Sequence, residues 1–125
     1  MTAEQLVAQG DEICKQSQQR FSEIQSKPPA NASDAVDQTE QLIDSATEEL
    51  DSLRGLTPPP ELSDAYSSYL DAKQKALDLL KEGRDAADKQ DAKRYGELQS
   101  EVAKQGQERQ QLAKAVGFTA CSKPS

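Results

Sequence analysis

An all-α fold, an antiparallel up-down-up-down four-helix bundle spanning residues 1–125 as one domain, follows from three features of this sequence. Apolar residues recur at spacings of three and four inside long polar segments, the period of an amphipathic helix. Prolines cluster between those segments, at Pro28-Pro29 and in Leu53-Arg54-Gly55-Leu56-Thr57-Pro58-Pro59-Pro60-Glu61. The remaining positions are dominated by Ala, Gln, Glu, Asp and Lys, most of which are tolerated or favoured on helix surfaces. Three consecutive prolines cannot lie inside a helix, because each lacks the N–H and clashes with the preceding turn. The chain therefore divides into two helical hairpins, and short connections make neighbouring helices antiparallel.

The first helix is expected over 3–26. Thr2 and Gln5 have the spacing of a capping box, and Leu6, Gly10, Ile13, Ser17, Phe21 and Ile24 trace one face before Pro28-Pro29 ends it. Asn31 or Ser33 can cap a second helix over 33–54, with Asp34 in its first turn complementing the helix dipole. This helix carries seven acidic residues from Asp34 to Asp51 against a single base, Arg54. Pro60 suits the first turn of a third helix over 60–88, with Tyr66, Tyr69, Ala76, Leu80 and Gly83 facing inward. Asp88-Lys89-Gln90-Asp91 has neither Gly nor Pro, but an unbroken helix to Gly117 would run roughly 85 Å with half of it unpartnered. A break with Asp91 as N-cap is preferred, giving a fourth helix over 91–117 that stops at Gly117. Gly83 and Gly96 stand equally far from that break, so the third and fourth helices are expected to approach most closely there. The two hairpins share a layout but no repeat of fixed period.

Composition narrows the function. Leu, Ile, Val and Phe make up fewer than a fifth of the residues, so the core is thin. A net charge of −7 and a pI near 4.6 argue against nucleic acid or an anionic membrane as partner. No apolar run approaches the roughly 18 residues of a membrane-spanning helix, and the segment after Met1 does not read as a signal peptide. The tripeptide Asn31-Ala32-Ser33 fits a glycosylation sequon, which matters only in a eukaryotic secretory setting. The chain has no histidine. Ser-His and Cys-His nucleophile pairs are thereby excluded, as is the Glu-x-x-His metal site of ferritin-like bundles. The glycines stand singly rather than in a phosphate-binding loop, and no cofactor or metal is implied. Acidic pairs such as Glu97/Glu101 read as a solvated face.

Cys14 lies on the first helix and Cys121 four residues beyond the fourth, at the same end of an up-down bundle. Counting at about 1.5 Å per residue, Gly117 falls roughly 12 Å beyond Cys14 along the axis, and Phe118-Thr119-Ala120 can fold back over that distance. A disulfide is geometrically feasible; two separate thiols in a cytosolic protein are the alternative. If formed, the bond would close nearly the whole chain, so reduction is expected to lower the melting temperature by tens of degrees. Glu12-Ile13-Cys14-Lys15-Gln16, Pro58-Pro59-Pro60-Glu61-Leu62 and Gly117-Phe118-Thr119-Ala120-Cys121 together resemble the uncharacterised small exported helical proteins and lipoproteins of actinobacterial type. That resemblance implies an extracytoplasmic bundle with its terminal cysteines paired, and it brings no activity. Cys14 lacks a lipobox-like Leu-x-x before it, so any export signal or lipid anchor is expected upstream.

One layer of the bundle is unusually polar. The first helix has no hydrophobe between Cys14 and Phe21, and the fourth has none between Ala103 and Leu112. In antiparallel register these gaps coincide, placing Ser17, Lys73, Gln105 and Arg109 mid-bundle with Tyr69 close by. Buried charge must be paired, wet or ligand-filled; otherwise these side chains reach outward over a thin core. If the set serves a pocket rather than folding, Lys73→Leu with Arg109→Leu should stabilise the protein. The leading expectation is a non-enzymatic extracytoplasmic interaction or envelope-associated module with a protein or envelope partner. A small-ligand binder using the polar layer and a cytosolic helical adaptor with reduced thiols are the alternatives.

Overall fold

Four helices, α1 Ala3–Gln25, α2 Ala32–Arg54, α3 Ser63–Asp88 and α4 Ala92–Val116, account for most of residues 1–123, the part of the chain that the computed structural model describes. Among the described residues there is no strand. Packing is sequential: α1 lies on α2, α2 on α3 and α3 on α4. The expected four-helix bundle is what forms, with one asymmetry. α1 and α4 make no comparable seam.

The helix ends show why the chain breaks where it does. Thr2 and Gln5 form the complete capping box, each side chain accepting from the other's backbone N–H at 3.1 and 2.9 Å. Asn31, rather than Ser33, caps α2 by accepting from the Asp34 N–H at 2.9 Å. Gln38 then donates to the carbonyls of Ile24 and Lys27, at 3.0 and 2.8 Å, and so secures the orphan C-terminal end of α1. Pro60–Leu62 is a 3₁₀ turn leading into α3.

The tight turn between α3 and α4 is a Schellman motif built without glycine. Gln90 adopts the left-handed conformation (φ 57°) while its N–H bonds Ala87 and the Asp91 N–H bonds Ala86. Asp91 caps α4 through the Arg94 N–H. Gly117 (φ 107°) repeats the same motif after α4, with its own N–H on Lys114 and the Phe118 N–H on Ala113.

The core is discontinuous. Its largest part, at the end holding the N-terminus of α1 and the C-terminus of α4, gathers Leu6, Leu53, Tyr66, Tyr69, Val116 and Phe118. A small middle group (Ile43, Leu50, Leu77) and another near the α3–α4 turn (Leu79, Ala86, Leu98) complete it. At the first of these ends Cys14 and Cys121 are joined in a disulfide, S–S 2.01 Å, across 107 residues of sequence. Phe118 lies edge-on to Tyr66 and tilted against Tyr69, with ring centroids 6.2 and 5.5 Å away. Its ring sits where a side chain on Gly10 would be: a Cβ there would come within 2.4 Å of Phe118 Cε1. The carboxylate of Asp11 accepts from three successive backbone N–H groups, those of Thr119, Ala120 and Cys121, at 2.9–3.2 Å. Gln18 donates to the Ala120 carbonyl at 2.7 Å. These contacts hold the tail against α1.

Gly83 and Gly96 do not mark the closest approach of α3 and α4. A Cβ at either position meets nothing within 4 Å; Gly96 is exposed, and Gly83 is buried beside open space. The glycine required by close packing is Gly10. In denaturant titrations, Gly10→Ala should therefore destabilise by at least about 1 kcal/mol through overpacking, and Gly96→Ala should stabilise by up to about 1 kcal/mol through helix propensity. Equal effects at the two positions would contradict the packing described. The disulfide closes a loop worth up to ~4.7 kcal/mol on the chain-entropy model, so reduction should lower the melting temperature by roughly 20 °C. Melting curves within a few degrees of each other would show that the bond adds little.

Candidate functional site

A cavity of about 310 Å³ occupies the bundle from its middle towards the α3–α4 turn, lined by residues of all four helices. It exists because the core there is interrupted. α1 contributes Ser17 and the half-buried Phe21, while Ala46, Ala76 and Gly83 are too small to fill the centre. Leu42, Leu77, Leu80, Leu98 and Val102 form apolar walls. Gln25 of α1 and Gln99 of α4 are lining residues that are also exposed, so the mouth lies between these two helices, where they make no packed seam.

The end of the cavity nearest the disulfide is polar. Of the five residues expected in this layer, Ser17, Lys73 and Arg109 line the cavity; Tyr69 and Gln105 stand behind it and are themselves buried. Gln105 is fixed at both ends of its amide. Its Nε2 donates to the Ala72 carbonyl at 2.6 Å, and its Oε1 accepts from Arg109 Nη1 at 2.5 Å. The Tyr69 hydroxyl donates to Cys14 Sγ at 3.7 Å, which links the layer to the disulfide. Burial pushes the Tyr69 phenol well above its ordinary range, with the Glu49 charge adding to the effect, so the hydroxyl stays protonated. Tyr66, whose hydroxyl donates to the Leu53 carbonyl, is likewise pushed up by burial to about 12.

Sequence reasoning missed Glu49. It belongs to the acidic run of α2, but its side chain turns inward, only 6% exposed, and pairs with Lys73. The spacing contains the clue: Thr39, Leu42, Ala46, Glu49 and Leu53 recur at three and four, so Glu49 falls on the buried stripe. The layer is thus a carboxylate–ammonium pair next to a half-buried guanidinium. Burial lowers the Arg109 pKa, opposed by the nearby Tyr69 and Glu49. Ser45, between α1 and α2 and outside the cavity lining, has a buried hydroxyl with no hydrogen-bond partner among the described residues. By contrast, Glu97 and Glu101 lie on the surface with Arg94 between them at 3.4 and 3.8 Å, the solvated face expected of them.

Compared with known proteins, the chain matches no protein-family model, no curated protein and no solved structure.

Glu49 also reverses the expectation for Lys73→Leu with Arg109→Leu. Removing both cations leaves a buried carboxylate without a counter-charge, which is destabilising rather than stabilising. Lys73→Met alone should cost about 3 kcal/mol, and Glu49→Leu with Lys73→Met should recover most of that loss. A double-mutant cycle by chemical denaturation measures the coupling. Additive effects would mean that the pair is not energetically linked.

Proposed function

We propose that this chain is a non-enzymatic, extracytoplasmic binding module that holds a small ligand in the cavity at the centre of its bundle. The observation that carries this reading is the cavity itself. It combines apolar walls with a few convergent, fixed polar groups, and its size lies at the lower end of the range for small-molecule sites. A disulfide closing almost the whole chain supports an oxidising compartment. The absence of histidine from the chain supports binding over acid–base or nucleophilic chemistry. Among the described residues Met1 is the one large apolar side chain left exposed, so an apolar docking face for a protein partner has little to rest on. No helix among them is long and apolar enough to cross a membrane. A second reading keeps the interaction module, with the exposed acidic stripe Asp37, Glu40, Asp44, Glu48 and Asp51 of α2 as its docking face for a basic partner.

An uncharged, environment-sensitive dye such as Nile red tests cavity binding directly. Its emission should rise and shift to the blue with the native oxidised protein. Gly83→Leu with Ala76→Leu, which fills the centre, should abolish that signal while raising the melting temperature. Equal dye binding by the filled variant would place the dye elsewhere and remove the support for a central site.

A further inference from the structure

The charges inside the cavity do not balance. Its charged lining residues are Glu49, Lys73 and Arg109, one carboxylate against two cations. Lys73 is taken by Glu49. Arg109 has no carboxylate within ion-pair distance among the described residues; its hydrogen bond goes to the neutral amide of Gln105. A guanidinium carries five N–H donors in a fixed fork, and Gln105, itself anchored to the Ala72 carbonyl, holds that fork in place with one of them. This local excess of one positive charge sits inside a protein whose net charge is −7. The positive excess is thus a local property of the cavity lining, opposite in sign to the molecule as a whole. Beyond Arg109, Leu80, Leu98 and Val102 form an apolar wall towards the α3–α4 turn, with Gln38, Thr39 and Gln99 also lining that end.

We propose that the cavity takes a monoanionic amphiphile, a carboxylate on an aliphatic or aromatic tail, with the head group on Arg109 and the tail along Leu80 and Val102. The inference rests on the central cavity being a binding site, as proposed above. A carboxylate accepts two parallel hydrogen bonds from the fork of an arginine, which an alcohol or an amine does not. A dianionic head such as a phosphate monoester would bring a second charge next to Glu49, against the field of the whole molecule. At the ~30 Å³ that one water-sized group occupies, 310 Å³ accommodates about ten non-hydrogen atoms. Octanoate has that size, and 1-octanol and octylammonium share its tail.

Calorimetric titration of the native oxidised protein with these three probes tests the assignment. Octanoate should bind at least about tenfold more tightly than 1-octanol, the scale of a hydrogen bond to a charged group, and octylammonium should bind least. Arg109→Gln should erase the difference between octanoate and 1-octanol, and Arg109→Lys should restore part of it. The comparison of probes on the wild-type protein stands alone should Arg109→Gln fail to fold. If 1-octanol or octylammonium binds as tightly as octanoate, the anion assignment is wrong while the cavity remains a binding site. If Nile red binds and none of the three probes does, the assignment is likewise overturned. Failure of the dye and all three probes removes both readings.

Discussion

The clasp between α1 and the tail after α4 is the constraint on which the rest of this structure depends. α1 has an extended seam only with α2, and it meets α3 and α4 chiefly at the clasp end, through Leu6 and Cys14. Closure comes instead from four residues of the tail. Cys121 bonds Cys14, Phe118 occupies the place of a side chain on Gly10, and Thr119, Ala120 and Cys121 present consecutive N–H groups to the Asp11 carboxylate. These devices act together. The charge-assisted hydrogen bonds orient the tail, the ring packs against Tyr66, Tyr69 and Gly10, and the covalent bond removes the open-chain alternatives. One end of the molecule is therefore fully packed, with Tyr66, Tyr69 and Phe118 in mutual contact.

The opposite end inherits the reverse condition. With closure achieved at the clasp, α1 and α4 need not meet further along, and Ser17, Ala46, Ala76 and Gly83 leave the space between them unfilled. The polar layer lies where the packed end stops. Glu49 and Lys73 tie α2 to α3, and Gln105 ties α4 to the backbone of α3 through Ala72. Glu49 and Lys73 still line the cavity, and the anchored Gln105 holds Arg109 at its edge. A core chosen for stability alone would place Leu or Met here, since apolar replacement of buried ion pairs is often neutral or stabilising. Retained polarity at such a level is the feature on which the proposed binding site rests.

Local chemistry made much of the fold legible in the sequence. Thr2, Asn31, Asp91 and Gly117 act at helix ends as their side chains or backbone freedom dictate, because caps involve residues three or four apart. The α3–α4 turn was harder to read because Gln90 takes the left-handed conformation usually given to Gly or Asn. Gly83 and Gly96 misled for the opposite reason. A glycine in a helix signals either close packing or empty space, and spacing alone does not distinguish them. The polar layer followed from coincident gaps in two helices, but Glu49 was hidden in a run of acids whose other members face water. Neither the Asp11 bonds to the tail nor the seat of Phe118 on Gly10 could be assigned, since each joins residues more than a hundred positions apart along the chain.

Stability connects the clasp to the cavity. A sealed apolar cavity costs about 24 cal/mol per Å³, so 310 Å³ would cost up to about 7 kcal/mol if it were closed and dry. This one opens between α1 and α4 and is polar at its floor, both of which lower the cost. The ~4.7 kcal/mol upper figure for the disulfide is of the same order. For a chain in which large aliphatic residues are scarce, the cross-link thus offsets a hole that hydrophobic burial alone would not sustain. Reduction would act first on the end farthest from the cavity mouth, yet its effect would reach the site, because the Tyr69 hydroxyl that contacts Cys14 stands directly behind the polar layer. The staple and the pocket are two parts of one arrangement: the covalent closure at one end is what allows the other end to remain open.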